Sequence, residues 1–327
     1  MKVHVLHENP DWFAPIGAAL DAAAVAHEQW LLGDGLLDLG QPPPAGVFWS
    51  RMSASSHTRG HPYAKDHARG VLSWLESHGR RVVNGRPALE LEVSKVTQLA
   101  ALRAAGFDVP RTVAVAGTAN LRAAARKLPV PFISKHNQGG KGLGVRLFAG
   151  YGEFDAYLAS PEFVEPVDGI TLLQEYLRAA EPFITRAEIV GGAFVYAIRA
   201  DTALGGFELC PADACAVDAP GAGLFTLREG FDHPITGRYE GFARLHRVEI
   251  AGFEFIETVD GRMVTYDVNT TTNYNAQVEA VAPQPALPAV AGFLGRLLAE
   301  EPAAGAGQPG QPGQPGHPGR VGAGRAV

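Results

Sequence analysis

Two carboxylates and an amide towards the end of the chain suit a bound cation. Residues 251–275, AGFEFIETVDGRMVTYDVNTTTNYN, hold two β-branched and aromatic runs around Asp260-Gly261, a pair that favours a hairpin turn. If these two residues form the loop, Glu254 lies opposite Asp267, and Asn269 follows on the same face. Opposed carboxylates, with Cβ atoms roughly 4.5–5.5 Å apart, repel each other. Such a set suits a hard cation such as Mg²⁺, and the alternative is an ordinary hairpin with its acids in solvent.

The same register predicts an apolar face on the other side of the hairpin. Phe255 faces Tyr266 in this register, and Phe253 faces Val268. The hairpin is therefore expected to lie on a hydrophobic core with its acids turned away from that core.

A lysine and a glycine-rich loop form a second group, which suits phosphate. Residues 131–145, PFISKHNQGGKGLGV, place Lys135 at the end of an apolar strand, and glycines follow it. Glycine lets backbone N–H groups approach a phosphate closely, and lysine adds a positive charge. The spacing matches neither the Walker motif nor the dinucleotide fingerprint, and a mobile turn is the common alternative. The glycines are Gly139, Gly140, Gly142 and Gly144.

Further candidates lie on both sides of this loop. Lys95 precedes Lys135 by 40 residues. The stretch LLQEYL, 172–177, is an apolar strand interrupted by two polar residues and would serve as a hinge between lobes. Arg186 and Arg199 flank a predicted Gly191-Gly192 hairpin, whose alternation would direct basic groups towards phosphates.

The first 90 residues alternate strand and helix patterns, which predicts a small doubly wound parallel lobe. We predict strands at 2–7, 47–51 and 81–84 and helices at 14–27 and 62–78. Ligands of such sheets bind beyond the carboxyl ends of the strands, where the loop 53–61 would lie. An ordinary polar loop is an equal alternative. The candidate substrate contacts are Arg51, Ser55, Ser56, His57 and Arg59.

In this order the motifs resemble the ATP-grasp superfamily, and within it the RimK-like (ribosomal-protein glutamate ligase-like) branch. The resemblance covers about residues 90–300. The matched parts are Lys95 with its Ala-Gly-x-x-x-Pro-x-Thr sequel, Lys135 with the glycine loop, Gln174-Glu175-Tyr176-Leu177, Arg186 before Gly191, and the acids with Asn269.

The resemblance implies an α/β fold with α+β lobes. It comprises a pre-ATP-grasp substrate lobe at 1–90, an ATP-grasp domain at 91–301 with ATP between two lobes, and a tail at 302–327. Phosphates would contact Lys95, Lys135 and the glycine loop, and Mg²⁺, or alternatively Mn²⁺, would bind Glu254, Asp267 and Asn269. Catalytic roles would fall to Arg186 and Arg199. The remaining nucleotide contacts would be Gln174, Glu175, Tyr176, Leu177 and Glu181.

The sequence departs from this branch at several positions. The branch commonly has Asp and then Glu-x-Asn at the metal, whereas the acids are exchanged here. Ile184 replaces an Asp that precedes the arginine, which leaves Glu181 as a weak substitute for ribose contact. TTTNYN replaces the usual Pro-Gly after Asn269.

Composition excludes several classes of protein. The chain has 327 residues, 46% of them hydrophobic, and a net charge of −6, so neither nucleic acid nor an acidic membrane is expected as a partner. No segment reads as a signal peptide or membrane span. Cys210 and Cys215 make no disulfide framework, which indicates a reduced cytoplasmic compartment. We predict irregular structure at 201–247, a helix at 285–299 and a disordered Gly/Pro-rich tail at 302–327.

The leading hypothesis is an ATP-dependent carboxylate–amine ligase that forms an amide through an acyl phosphate. Its partners would be ATP, a carboxylate and an amine from an amino acid, peptide or protein terminus, and a homo-oligomer is compatible with it. The alternatives are phosphoryl transfer without amide formation and an ATP-binding partner or sensor without catalysis.

Overall fold

A computed structural model of the chain describes residues 1–140, 142, 144–205 and 223–302. Three sheets organise these residues, and the fold class is α/β as predicted. Cys210, Cys215 and the tail from 303 onwards lie outside the described residues, so the predictions made for them stay predictions. Among the described helices, none has both the length and the apolar character that a membrane span requires.

The N-terminal lobe is a four-stranded parallel sheet with the strand order β2-β1-β3-β4. Helices cover both of its faces, because Val3 and Val5 pack in the cluster that contains α1, whereas Leu6 and Phe48 pack in the cluster that contains α2. The doubly wound arrangement is therefore confirmed. Its elements are β1 (Lys2–His7), α1 (Pro10–Ala22), β2 (His27–Leu31), β3 (Gly46–Ser50), α2 (Ala64–Ser77) and β4 (Arg81–Val83).

The predicted bounds of the first helix, 14–27, are wrong at both ends. The helix begins at Pro10, because the Asn9 side chain accepts a hydrogen bond from the Asp11 N–H and proline suits the first helical position. It ends at Ala22, and residues 27–31 form β2, which pairs in parallel with β1. The alanine-rich run continued the helical pattern and concealed this edge strand.

The middle of the chain forms a second, smaller lobe around an antiparallel sheet with the order β5-β8-β6-β7. Phe154 packs edge to face against Phe132 and Phe148, which are tilted against each other, and the three ring centroids are 4.9–5.5 Å apart. Helices α3 (Arg86–Val93) and α4 (Lys95–Ala104) link the N-terminal lobe to it. Its elements are β5 (Thr112–Ala116), α5 (Leu121–Ala125), β6 (Phe132–His136), β7 (Arg146–Phe148), α6 (Tyr151–Leu158) and β8 (Ile170–Glu175).

The last part of the chain forms an antiparallel sheet of five strands in the order β11-β10-β9-β12-β13. One face packs on α4 and α8, and the other shares a hydrophobic cluster with α1 and the N-terminal sheet through α10. Its elements are β9 (Phe183–Val190), β10 (Ala193–Asp201), α7 (Thr202–Gly205), β11 (Phe225–Leu227), α8 (Ile235–His246), β12 (Ile250–Glu257), β13 (Met263–Asn269), α9 (Ala276–Val281) and α10 (Ala286–Glu300).

The expectation of irregular structure throughout 201–247 is wrong where the structure describes this stretch. β11 adds an edge strand to the sheet, and α8 buries Ile235, Tyr239 and Phe242 at helical spacing. Two glycines inside α8 weakened the sequence signal, since glycine is a poor helix former. The predicted terminal helix at 285–299 is confirmed by α10.

Candidate active site

The acidic hairpin of β12 and β13 places Glu254 directly opposite Asp267, as predicted. The predicted two-residue loop is wrong, however. The Thr258 N–H donates to the Arg262 carbonyl at 2.9 Å, so three residues form the loop, and Gly261 takes the left-handed conformation with φ +82°. A β-bulge between Glu254 and Phe255 shifts the register back.

The bulge changes which residues form the apolar face of the hairpin. Phe255 pairs with Thr265 and not with Tyr266, whereas the predicted Phe253–Val268 pair is confirmed. Tyr266 is the extra residue on its strand and turns towards the acids, where its hydroxyl donates to the Glu254 carboxylate. The longer loop and the bulge offset each other, so the acids meet in the predicted register.

Lys95 neutralises one of these acids. Ser94 caps α4 by accepting from the Thr97 N–H, so Lys95 is the first helical residue, and its Nζ donates to Asp267 Oδ1 at 2.7 Å. Burial lowers the pKa of Lys95, but the carboxylates of Asp267, Glu92 and Glu254 together outweigh burial, and the net pKa is raised. Burial and the neighbouring Asp267 raise the pKa of Glu254. Of the two acids, Asp267 therefore has its negative charge neutralised by Lys95, whereas the negative form of Glu254 is disfavoured.

These side chains line a cavity of about 490 Å³ bounded by the hairpin, the smaller lobe and the loop after β3. The predicted residues that line it are Lys95, Lys135, Gly139, Gly140, Gly142, Gln174, Glu175, Tyr176, Leu177, Glu254, Asp267, Asn269 and Ser55. The structure thus brings most of the predicted nucleotide and metal residues together, although 172 positions separate Lys95 from Asp267.

The hinge end of the cavity is an apolar slot beside the end of β8. Glu175 directs its carboxylate to the Arg111 N–H at 2.9 Å, and Gln174 donates to Thr112 Oγ1 at 2.8 Å. Both side chains are therefore held by the beginning of β5 and the residue before it, and β8 ends at Glu175, where Tyr176 follows. The apolar side chains of the slot are Ile133, Val145, Leu147, Leu177, Ile184 and Ile256.

Lys135 lies at the centre of the cavity wall, on β6, with 5% of its surface exposed. Burial and the neighbouring Lys95 lower its pKa to about 7. The glycine loop follows, and a hydrogen bond of 2.6 Å from Lys65 to Gln138 ties the beginning of this loop to the N-terminal lobe. Gly144 does not line the cavity: it has φ +70°, and a Cβ there would meet the His136 ring at 2.3 Å.

The two predicted catalytic arginines lie outside the cavity lining. Arg186 is buried beneath the acids, where its Nε lies 2.8 Å from Glu188 Oε1 and its Nη1 lies 3.8 Å from Glu254 Oε1. Arg199 pairs with Thr185, one position out of phase with Arg186, so its side chain lies on the opposite face of the sheet. It stacks on Phe183 at 4.7 Å.

Glu181 also lies away from the cavity. Its side chain is exposed and does not line the wall. Ile184, which replaces the Asp expected to contact the ribose, does line the cavity, so this side of the slot is apolar.

The predicted substrate loop after β3 is mostly occupied by internal contacts. Arg51 donates to the Thr272 carbonyl at 2.7 Å and to Asn273 Oδ1 at 2.9 Å, which joins the N-terminal lobe to the segment after β13. Arg59 forms an ion pair of 2.5 Å with Glu8 and donates to Ser55 Oγ at 3.0 Å.

Of the other residues in this loop, Ser56 is fully buried. The His57 ring contacts the Ala54 carbonyl at 3.2 Å. Of the five candidates, Ser55 lines the cavity. The structure thus places one of the five predicted substrate contacts on the cavity wall.

Solved structures with the same arrangement of lobes are ATP-grasp proteins. The chain is similar to a RimK-domain ATP-grasp protein from Sphaerobacter thermophilus DSM 20745, with a TM-score of 0.65, 16% identity, and coverage of 90% of this chain and 99% of that chain. The chain has the ATP-grasp fold.

Two further similar structures have this fold. D-cycloserine synthetase DcsG has a TM-score of 0.63 at 16% identity and the same coverages of 90% and 99%. The macrocyclase MdnC, bound with precursor peptide MdnA from Microcystis aeruginosa MRC, has a TM-score of 0.58 at 14% identity, again over 90% and 99%. No family model and no curated protein matches the sequence.

Within this ATP-grasp fold, the structure adds cavity residues that the sequence analysis missed. Glu92 on α3, Tyr266 and Asn273 all line the cavity, as does Trp12 at the start of α1. The one available signal was the acid in Glu92-Val93-Ser94-Lys95, three residues before a candidate lysine. Tyr266 carried no such signal, because only the bulge turns it towards the acids.

The acids present oxygen ligands that fit a hard cation. Glu254, Asp267 and Asn269 line the same cavity, and carboxylate and amide oxygens are the ligands that Mg²⁺ takes. Asn269 Oδ1 also accepts from the Thr271 N–H at 2.9 Å. Among the residues that the structure describes, no three or more His, Cys, Asp or Glu side chains are grouped to hold a metal ion. Glu92 lies near this pair, since burial and the Asp267 carboxylate both raise the pKa of its carboxyl group.

Proposed function

We propose that the protein is an ATP-dependent carboxylate–amine ligase that forms an amide through an acyl phosphate. The observation that carries this proposal is the convergence of two lysines, a glycine loop and an opposed acid pair on one cavity beside an apolar slot. This combination provides both a nucleotide site and charge neutralisation, the main requirements of phosphoryl transfer.

The apolar and the positively charged parts of the cavity follow the order of adenine and phosphates in ATP. The apolar slot beside Tyr176 and Leu177 suits adenine, and the backbone after β8 would bind its ring nitrogens. Lys95 and Lys135 suit the phosphates, and the glycine loop would lie over them. Glu254, Asp267 and Asn269 would hold Mg²⁺ or Mn²⁺, which neutralises phosphate charge when it is bound.

The chemistry requires a leaving group on the substrate carboxylate. A carboxylate oxygen attacks the γ-phosphorus, the bond from phosphorus to the ADP oxygen breaks, and an acyl phosphate forms. An amine nitrogen then attacks the acyl carbon, and the acyl C–O bond breaks to release phosphate. Lys135 is buried in the cavity wall and would contribute a charge in poorly solvated surroundings, where electrostatic stabilisation is strong.

The substrate class rests on the relatives of this fold and on the cavity. One structural neighbour is a D-cycloserine synthetase, and others bind precursor peptides, so amino acids and peptides are the first acids to test. A reaction that consumes ATP also suits the cytoplasmic location expected from the sequence. The oligomeric state stays a prediction.

The experiment is an ADP-release screen across acids and amines, singly and in pairs, with mass detection of amides. ADP that appears only when both an acid and an amine are present, together with the mass of the amide, would support the ligase. ADP release with an acid alone would favour phosphoryl transfer without amide formation. Tight ATP binding without turnover would favour a protein that binds ATP without catalysis.

A further inference from the structure

The cavity wall formed by the N-terminal lobe and α3 has a polar character of its own. Ser55, Trp12, Asn273 and the half-buried carboxylate of Glu92 line it. Of the described residues, the lysines and arginines that line the whole cavity are Lys95 and Lys135. This wall therefore presents one negative charge, hydroxyl and amide groups, and an aromatic ring.

Glu92 keeps an acceptor oxygen open to the cavity. Its Oε2 accepts from the Thr270 N–H at 2.8 Å and from the Thr270 hydroxyl at 3.0 Å. Its Oε1 has one contact, with the Ala54 N–H, at 3.4 Å, which is longer than an ordinary N–H···O bond. A carboxylate oxygen has two lone pairs, so Oε1 can accept a further donor.

The charge of Glu92 is not balanced by an ion pair with any residue in the described part of the chain. Burial raises the pKa of its carboxyl group, which is the expected effect of a poorly solvated negative charge. Glu92 favours the charged forms of Lys95 and Arg51, but Lys95 is bound to Asp267 at 2.7 Å and Arg51 to the Thr272 carbonyl at 2.7 Å. A bound cation would compensate Glu92.

The same wall offers little positive charge to a carboxylate of the amine substrate. Arg59 is paired with Glu8 and lies 4.5 Å from the Trp12 ring, and Arg51 is held by the backbone and side chain of the segment after β13. A carboxylate on the amine substrate would meet Glu92 where the nearby cations Lys95 and Arg51 are already bound by other groups, and juxtaposed like charges oppose binding.

We propose that this wall is the amine subsite, in which Glu92 Oε1 accepts a hydrogen bond from the substrate ammonium group. The subsite selects amines that carry no carboxylate on the same carbon, with the hydrocarbon part of the amine against Trp12. This inference rests on the proposed ligase function and specifies one of its two substrates.

The role of Glu92 is compatible with the bond changes of amide formation. The substrate enters as an ammonium ion and leaves as an amide N–H, so it loses two protons. One proton is released before the nitrogen attacks, and the other leaves after the C–N bond has formed. Of these two protons, one is taken up by the released phosphate and one passes to solvent. Glu92 thus positions the nitrogen next to the acyl carbon.

The test uses butylamine and norvaline, which differ only in the α-carboxylate. Each is titrated calorimetrically into the full-length protein, with and without Mg²⁺ and AMP-PNP, and AMP-PNP is also titrated alone. We expect butylamine to bind at least tenfold more tightly than norvaline. Glu92→Gln should weaken butylamine binding at least tenfold and leave AMP-PNP affinity unchanged. Glu92→Asp should retain part of the selectivity.

Glu90→Gln is the matched control, because Glu90 lies on the same helix and pairs with Arg69 outside the cavity. It should bind both amines as the wild type does. Equal affinity for the two amines, no binding of butylamine, or unchanged butylamine binding in Glu92→Gln would overturn the subsite. Failure of AMP-PNP to bind while butylamine binds through Glu92 would instead refute the ligase and leave the cation site standing.

Discussion

The lowered pKa of Lys135 makes replacement of this lysine by methionine a sharp test of the cavity. Lys135 is 5% exposed, and burial together with Lys95 lowers its pKa from 10.5 to about 7. Methionine has a similar length and no charge, so Lys135→Met removes the unfavourable charge and keeps most of the packing. We expect the nucleotide-free variant to be more stable than the wild type at pH 7.

The size of the effect follows from the two pKa values. Between pH 7 and 10.5 the unfolded chain binds more protons at this site than the folded chain does, so wild-type stability at this site rises with pH. The penalty is complete below pH 7 and vanishes above 10.5. Relative to the wild type, Lys135→Met should therefore gain about 4 kcal/mol at pH 7 and only about 1 kcal/mol at pH 9.5.

The assay is denaturant unfolding without nucleotide at pH 7 and at pH 9.5. Lys127→Met is the control, because Lys127 is an exposed lysine of the same lobe. A stability gain that does not change between the two pH values, or an equal gain in the control, would refute the reasoning. In Lys135→Met the KM for ATP should also rise and kcat should fall. The positive charge of Lys135 destabilises the nucleotide-free protein, but it is the same charge that would bind the phosphates of ATP.

Three further predictions address the acids, the junction between lobes and the sugar wall. Glu254→Gln should lower Mg²⁺-dependent ADP release at least about 100-fold while the nucleotide-free unfolding midpoint holds or rises, because repulsion across the strand pair is relieved; wild-type turnover would exclude the metal assignment. Arg51→Met should lower the free energy of unfolding by about 3 kcal/mol, since the Thr272 carbonyl and Asn273 lose a buried charged donor. The control Arg69→Met, at the protein surface, should leave the denaturation curve unchanged, and the same result for Arg51→Met would show that other contacts hold this segment. If the sugar lies along Ile184, wild-type KM values for ATP and 2′-deoxyATP should agree within about threefold, and Ile184→Asp should favour ATP; a strong wild-type preference for ATP would place the sugar elsewhere.

The sequence by itself determined the features that depend on neighbours along the chain. The opposition of Glu254 and Asp267 follows from strand alternation within one hairpin, and the glycine loop after Lys135 is a contiguous stretch. Even the hairpin was predicted only in part, because a longer loop and a bulge at Tyr266 replaced the simple two-residue turn. The order of these motifs was sufficient to indicate the ATP-grasp fold.

Only the tertiary structure decided which charged side chains are available to a ligand. Arg51 and Arg59 looked suited to a substrate, but partners from distant parts of the chain hold both. Arg199 lies on the opposite face of its sheet from Arg186, and Glu92 faces the cavity because α3 packs beside the end of β13. The physical reason is that side-chain type and local period set the direction of a residue within its element, whereas its partners depend on how separate elements pack.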